Sequence, residues 1–395
     1  MRALAVEKLK RITEALASDS YITTKNDVGC THDFYHYPAR FAPSVARAII
    51  ETFSKPNDWV LDPFMGGGTT IIEGILLGRR MIGVDKNALA HFVTDVRTTP
   101  LSENDEWLIE DWADLCAERL AHGADLGWVD RPTIKNLPEP VKMFAAGALA
   151  LAEFPLRRQR AFARCALLRI GQWALDCRDF TSPSRSYLAR RFPTIVREML
   201  AGLREFVEGC REVEFQKSAI RNARLLRHRS AVGLETDSVL GSLPLKPRLV
   251  FTSPPYPGVH VLYHRWQYRG RKETPAPYWI ASVPDGYGES FYTGGSRTPT
   301  GLNNYFEMIR GAFTSVGAMI DRKTIVAQLV GFSDSESQLP RYLQAMELAG
   351  YEECSLEAAG RPTRSVPHRK WYAKLKGPVD AASEILLVHR LRRKK

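Results

Sequence analysis

Asp62-Pro63-Phe64-Met65-Gly66-Gly67-Gly68-Thr69-Thr70 is the stretch that decides the fold. It ends a short strand pattern, Asp58-Trp59-Val60-Leu61, with an acid, then gives three successive glycines. A helical pattern follows, Ile71-Ile72-Glu73-Gly74-Ile75-Leu76-Leu77. Glycines let the backbone turn tightly after a strand and approach a ligand closely. The helix behind them starts with unpaired N–H groups. A second strand, Met81-Ile82-Gly83-Val84, ends in Asp85, 23 residues after Asp62. At that spacing an acid on the second strand of a nucleotide-binding βαβ unit grips ribose hydroxyls. The turn lacks the Gly-Lys-Ser/Thr ending that holds a nucleoside triphosphate.

A second string, Thr252-Ser253-Pro254-Pro255-Tyr256, ends another apolar strand, Arg248-Leu249-Val250-Phe251. On its own it reads equally as a polyproline-type turn. Together the two strings resemble the cofactor loop and catalytic loop of S-adenosylmethionine-dependent DNA amino-methyltransferases, which methylate N4 of cytosine or N6 of adenine. The resemblance implies that Asp62 faces the ammonium of the cofactor's methionine part, with Phe64, Gly66, Gly68, Thr69 and Thr252 around it and Asp85 on the ribose. Tyr37 and Pro38, within Tyr35-His36-Tyr37-Pro38-Ala39-Arg40-Phe41, resemble the segment that closes over the methionine end. Asp237, at an expected strand end 16 residues before Ser253, would lie beside the cofactor's adenine; its alternative is a turn or helix cap.

The catalytic string has a chemical reason for each residue. An exocyclic amine is a poor nucleophile, because its lone pair is delocalised into the ring. Acceptors near its N–H bonds stabilise the charge that develops during methyl transfer. Ser253 Oγ and the Pro254 carbonyl suit that role, and the prolines, Pro255 included, bring no competing N–H. Tyr256 offers a π face for a base taken out of the helix. Where the family has Asp or Asn before the prolines the target is usually adenine. Ser253 shifts the expectation to N4 of cytosine, with N6 of adenine, or a catalytically silent DNA-binding protein on the same fold, as the alternatives.

Composition sets the bounds. The chain has 395 residues, 44% hydrophobic and 25% charged, ordinary for a globular protein. Membrane spans and a signal peptide are not expected, which points to a cytoplasmic protein. The six cysteines form no Cys-x-x-Cys pair and the nine histidines show no ligand spacing, so no metal is expected. The net charge of +11 favours a polyanion, here double-stranded DNA. Residues 156–229 hold 17 Arg or Lys against 7 Asp or Glu. That asymmetry suits phosphate contact, or is simply a solvated helical face.

The expected fold is α/β: a Rossmann-like, mainly parallel sheet with helices on both faces, interrupted by a helical insertion. The methyltransferase domain is assigned to 1–100 and 227–395, and the basic insertion, a candidate DNA-recognition region, to 101–226. The fold is expected to resume with a strand near Ser230–Leu234. Residues 257–304 form a long aromatic and basic stretch, read either as a base pocket with Tyr263 or Trp266 as walls, or as a buttress. Arg361–Trp371 is a second basic segment, placed to touch phosphates. The resemblance suggests a restriction–modification or related defence role, with a cognate endonuclease as a separate partner.

Overall fold

The computed structural model describes residues 10, 12–16, 29–36, 42–121, 132–175, 181–243, 246–257, 265–269, 272–286, 296, 298–354, 361–366 and 382–393. α1 (Pro43–Phe53) leads to β1 (Trp59–Asp62), α2 (Thr69–Leu76), β2 (Arg80–Asp85) and α3 (Ala88–Arg97). Helices α4 (Glu103–Ala121), α5 (Glu139–Ala150), α6 (Arg157–Leu175) and α7 (Arg185–Glu212) come next. The sheet resumes with β3 (Arg224–His228), the one-turn α8 (Ser238–Gly241) and β4 (Leu249–Thr252). A ribbon of β5 (Trp266–Tyr268) and β6 (Lys272–Thr274) precedes α9 (Ala276–Ala281) and α10 (Pro299–Met319). Last come β7 (Ile325–Gly331), α11 (Ser335–Leu348), β8 (Tyr351–Glu353), β9 (Thr363–Val366) and β10 (Ala382–Leu391).

The strands lie in the order β3-β2-β1-β4-β7-β10-β8, with β9 also on β10. From β3 to β7 every pairing is parallel, and β10 runs antiparallel to its neighbours. The α/β expectation therefore holds. Central strands buried on both faces read as unbroken apolar runs, and β1 and β4 are buried at every position. Alternate side chains feed two cores. Val60, Met81, Phe251 and Leu386 face α1 to α3, whereas Leu61, Ile82, Val250 and Leu387 face α10 and α11.

Two boundaries differ from expectation. No strand forms over Ser230–Leu234: Gly233 takes the left-handed φ of 78° and Leu234–Thr236 is a 3-10 turn. The strand is β3, which starts at Arg224 and pairs Met81–Asp85 of β2, so the sheet resumes inside the span assigned to the insertion. Its arginines hid it. β3 is an edge strand, only half-buried along Leu225–Arg227, and Arg224 closes an ion pair of 2.8 Å with Asp95 of α3.

The insertion is not a body apart. Its helices form a further layer outside α2 and α3, and its apolar faces join the same core as β1 and β4. Gly202 and Gly171 mark the closest approaches. A Cβ at Gly202 would sit 2.2 Å from the Cys30 carbonyl, and one at Gly171 would sit 2.4 Å from the Trp266 ring. α7 runs its 28 residues through Pro193, capped by Ser184 Oγ on the Tyr187 N–H.

Candidate active site

Strands β1, β2 and β4 end side by side, so the residues after them share the carboxyl edge of the sheet, where ligands of such sheets bind. Asp62 closes β1 and is 2% exposed. Its Oδ1 accepts from Thr252 Oγ1 at 2.7 Å and from the Phe64 N–H at 3.1 Å. The Thr252 bond matters most, because it ties the glycine turn to the residue directly before Ser253. Burial pushes the Asp62 carboxyl up to about 6, although the bonds from Thr252 and Phe64 pull the other way. Among the described residues no cation pairs with it.

Asp85 ends β2 and is half-buried. Its Oδ2 accepts from the Gly66 N–H at 2.9 Å and its Oδ1 from the Asn87 N–H at 2.8 Å. Burial raises its pKa, with these two N–H bonds opposing. Each oxygen keeps a further lone pair for a ligand. Asn87 caps α3 and donates to the Tyr278 hydroxyl at 3.0 Å, which fixes the rim beside Asp85.

The two glycines of the turn serve different ends. Gly66 has a φ of 48° and nothing within 4 Å of where a Cβ would sit, so it opens onto free space. Gly68 has a φ of 81°, caps α2, and would drive a Cβ to 2.6 Å from Thr94 Oγ1. Gly68 thus serves internal packing, and only Gly66 leaves the room expected of both. Thr69 is buried in the first turn of α2, and the half-buried Phe64 ring lies 6.4 Å from Phe313.

Arg97 holds the turn from behind. It is fully buried and donates to the carbonyls of Gly67, Tyr35 and His32, the last at 2.8 Å. The segment before α1 is thereby anchored to the glycine turn. Tyr37 and Pro38 themselves lie outside the described residues.

Residues 8–92, which include this turn and both acids, match the family model described as DNA methylase. Over that segment the chain is similar to the DNA methylase family. A Type II methyltransferase of Kocuria varians, M.MvaI, is 35% identical over 100 residues, 24% of this chain and 22% of that one. M1.MboII of Moraxella bovis is 60% identical over 40 residues, 10% of this chain and 15% of its own. M.BsoBI of Geobacillus stearothermophilus is 31% identical over 80 residues, 20% and 15% of the two chains. The matches therefore span about a fifth of these relatives' lengths. Among solved structures, the rRNA methyltransferase aviRa of Streptomyces viridochromogenes aligns over 93% of this chain and 94% of its own, at a TM-score of 0.31 and 11% identity.

After β4, Pro254 is buried while Ser253, Pro255 and Tyr256 are half-buried. The Tyr256 hydroxyl donates to Glu384 Oε1 at 2.6 Å and lies 3.3 Å from Ser253 Oγ. Its ring packs on β7, where a Cβ at Gly331 would come within 2.9 Å. Sequence reasoning missed Glu384, Arg97 and Asn87. Only Asn87, close behind Asp85, carried a local signal, as a helix cap.

Other expectations are corrected. Asp237 does not end a strand, and its acceptor sites are spent. Oδ1 takes the Val239 and Leu240 N–H groups and Oδ2 takes Arg227 and Arg229. Four bonds fill a carboxylate, so Asp237 is the cap of α8 and leaves no acceptor for adenine. Trp266 is no pocket wall either. It is 1% exposed, packs on Gly171 and donates to the Tyr35 hydroxyl at 3.1 Å. The described part of the aromatic stretch is a buttress, and Tyr263 lies outside the described residues.

Many of the insertion's arginines are engaged within the chain. Arg158 meets Asp105, Arg169 meets Glu198, Arg197 meets Asp114, and Arg204 meets Glu106 and Glu110. Arg361 of the second basic segment pairs with Glu353 at 2.8 Å, and residues 367–371 lie outside the described residues. Among the described residues no cluster suits a metal and no helix is long and apolar enough to cross a membrane.

Proposed function

We propose that this protein transfers a methyl group from S-adenosylmethionine to the exocyclic amine of a base in double-stranded DNA, N4 of cytosine before N6 of adenine. The observation that carries the proposal is the 2.7 Å bond from Thr252 to Asp62, which puts the cofactor acid and the Ser-Pro-Pro-Tyr string at one edge. The residues present fit the cofactor. Asp62 would hold its ammonium, which would supply the counter-charge that Asp62 lacks among the described residues, and Asp85 would take the ribose hydroxyls. Gly66 leaves the space its chain needs. Bound there, S-adenosylmethionine supplies an electrophilic methyl group.

The chain's own residues do the rest. Ser253 Oγ and the Pro254 carbonyl accept from the amine N–H bonds, so charge growing on nitrogen meets preorganised acceptors. Tyr256 lends a ring face to the extruded base, offsetting part of the few kcal/mol that extrusion costs. Contacts to phosphates would hold the duplex without reading its sequence. The relatives named as Type II methyltransferases support a place in restriction–modification, with cutting left to a partner endonuclease.

The test is transfer of labelled methyl to mixed-sequence duplex DNA, followed by digestion to nucleosides and mass analysis. N4-methylcytosine is the expected product. N6-methyladenine would change the base and leave the site standing. Cofactor binding without label on any DNA would overturn the proposed activity.

A further inference from the structure

The Ser253–Tyr256–Glu384 contact carries more than packing, and this inference rests on the methyl-transfer reading above. Glu384 is 3% exposed on β10, 128 residues from Tyr256. A tyrosine hydroxyl has one proton to give, and here it goes to Glu384 Oε1 at 2.6 Å. In the 3.3 Å contact with Ser253 the tyrosine oxygen can then only accept, so the proton in that contact belongs to Ser253. With its own proton turned toward Tyr256, Ser253 Oγ shows only lone pairs elsewhere.

We infer that Glu384 is a positioning residue that sets the donor direction of the Tyr256–Ser253 pair, so that Ser253 meets the target amine as an acceptor. Without it, the Tyr256 proton can point to Ser253, since either oxygen of that 3.3 Å contact can donate. The serine proton would then be released toward the amine, opposing the charge that develops there. The fold supports this geometry at both ends. Gly331 on β7 makes room for the Tyr256 ring, and β10 pairs Glu384 with Gly331 in register, which places the carboxylate beside that ring.

The experiment measures methyl transfer to duplex DNA and cofactor affinity, both on the full chain, for wild type, Glu384→Met, Glu384→Gln, Tyr256→Phe and the double variant Tyr256→Phe/Glu384→Met. Glu384→Met is expected to lower kcat by roughly tenfold with cofactor affinity held within about twofold, the pattern of a lost transition-state interaction. Glu384→Gln, whose amide carbonyl still accepts from Tyr256, should restore kcat to within about threefold of wild type. Tyr256→Phe should cost about tenfold or more, and adding Glu384→Met to it should cost no more, because groups acting as a unit are non-additive. A structural role would instead lower stability and cofactor affinity together and give additive losses. Full activity in Tyr256→Phe, a variant that keeps the ring packing, or additive losses in the double variant, would overturn the inference. Wild type that binds cofactor and methylates nothing would overturn the methyl-transfer reading instead.

Discussion

Asp62 and Asp105 are both buried aspartates, and the protein treats them in opposite ways. Asp105, at the start of α4, is fully buried and would be raised by desolvation. Arg158 at 2.6 Å, the Ser102 backbone and hydroxyl, and Gln159 at 2.7 Å outweigh that and hold it below its ordinary value. Asp62 receives only neutral donors, and burial carries it up to about 6. Buried charges are normally paired. A buried carboxylate with hydrogen bonds but no cation is the arrangement on which the proposed ammonium site rests. Several of the insertion's arginines meet acids on neighbouring helices, whereas among the described residues no cation meets Asp62.

The largest expected effect breaks that contrast at Asp62. Asp62→Asn should weaken S-adenosylmethionine binding by at least about 100-fold, measured by calorimetry, while DNA affinity is kept. The same substitution should stabilise the unliganded protein. A carboxyl with native pKa near 6 opposes folding above that pH by about 2–3 kcal/mol, and the neutral amide removes the penalty. A loss of both binding and melting temperature would mean that Asp62 is structural.

Arg158→Ala tests the other side. It strands a buried carboxylate, but Gln159 and Ser102 remain and Arg158 is 40% exposed. A cost near 2 kcal/mol is expected, seen as a lower melting temperature with cofactor affinity unchanged. The glycine pair sharpens the comparison locally. Gly68→Ala should lower stability, since the new Cβ meets Thr94. Gly66→Ala should weaken cofactor binding by roughly tenfold with a stability loss near 1 kcal/mol from its left-handed φ. Equal effects on both readouts would erase the distinction drawn between them. The smallest effect belongs to the insertion's surface pairs. Arg197→Ala breaks an exposed contact with Asp114 and should cost well under 1 kcal/mol. DNA affinity should also hold, since this arginine is already occupied.

What the sequence made legible follows from distance along the chain. Asp62, Gly66 and Asp85 fall within one βαβ unit, where glycine, strand and acid keep fixed spacings. The position of the Ser253–Tyr256 string at a strand end was equally readable, since proline and serine after an apolar strand leave few backbone options. Glu384 lies 128 residues from the hydroxyl it receives, and Arg97 reaches back to Gly67, Tyr35 and His32. Only tertiary structure makes those contacts, so no local pattern announces them. β3 failed for another reason. Edge strands tolerate arginine, so Arg224-Leu225-Leu226-Arg227-His228 lacks the apolar signature that revealed β1 and β4. In the basic insertion, charge counts alone do not show which arginines face acids on a neighbouring helix.

The most direct measurement is calorimetric titration with S-adenosylmethionine between pH 5 and 8, repeated in buffers of different ionisation enthalpy. If Asp62 awaits the cofactor's ammonium, its carboxyl titrates near pH 6 when empty and lower when bound. Affinity should therefore level off above pH 7 and fall by up to about tenfold per unit below pH 6. Proton release on binding should approach one near pH 5 and vanish at pH 8. Binding that is independent of pH across this range, or absent from a folded protein at millimolar cofactor, would contradict the account.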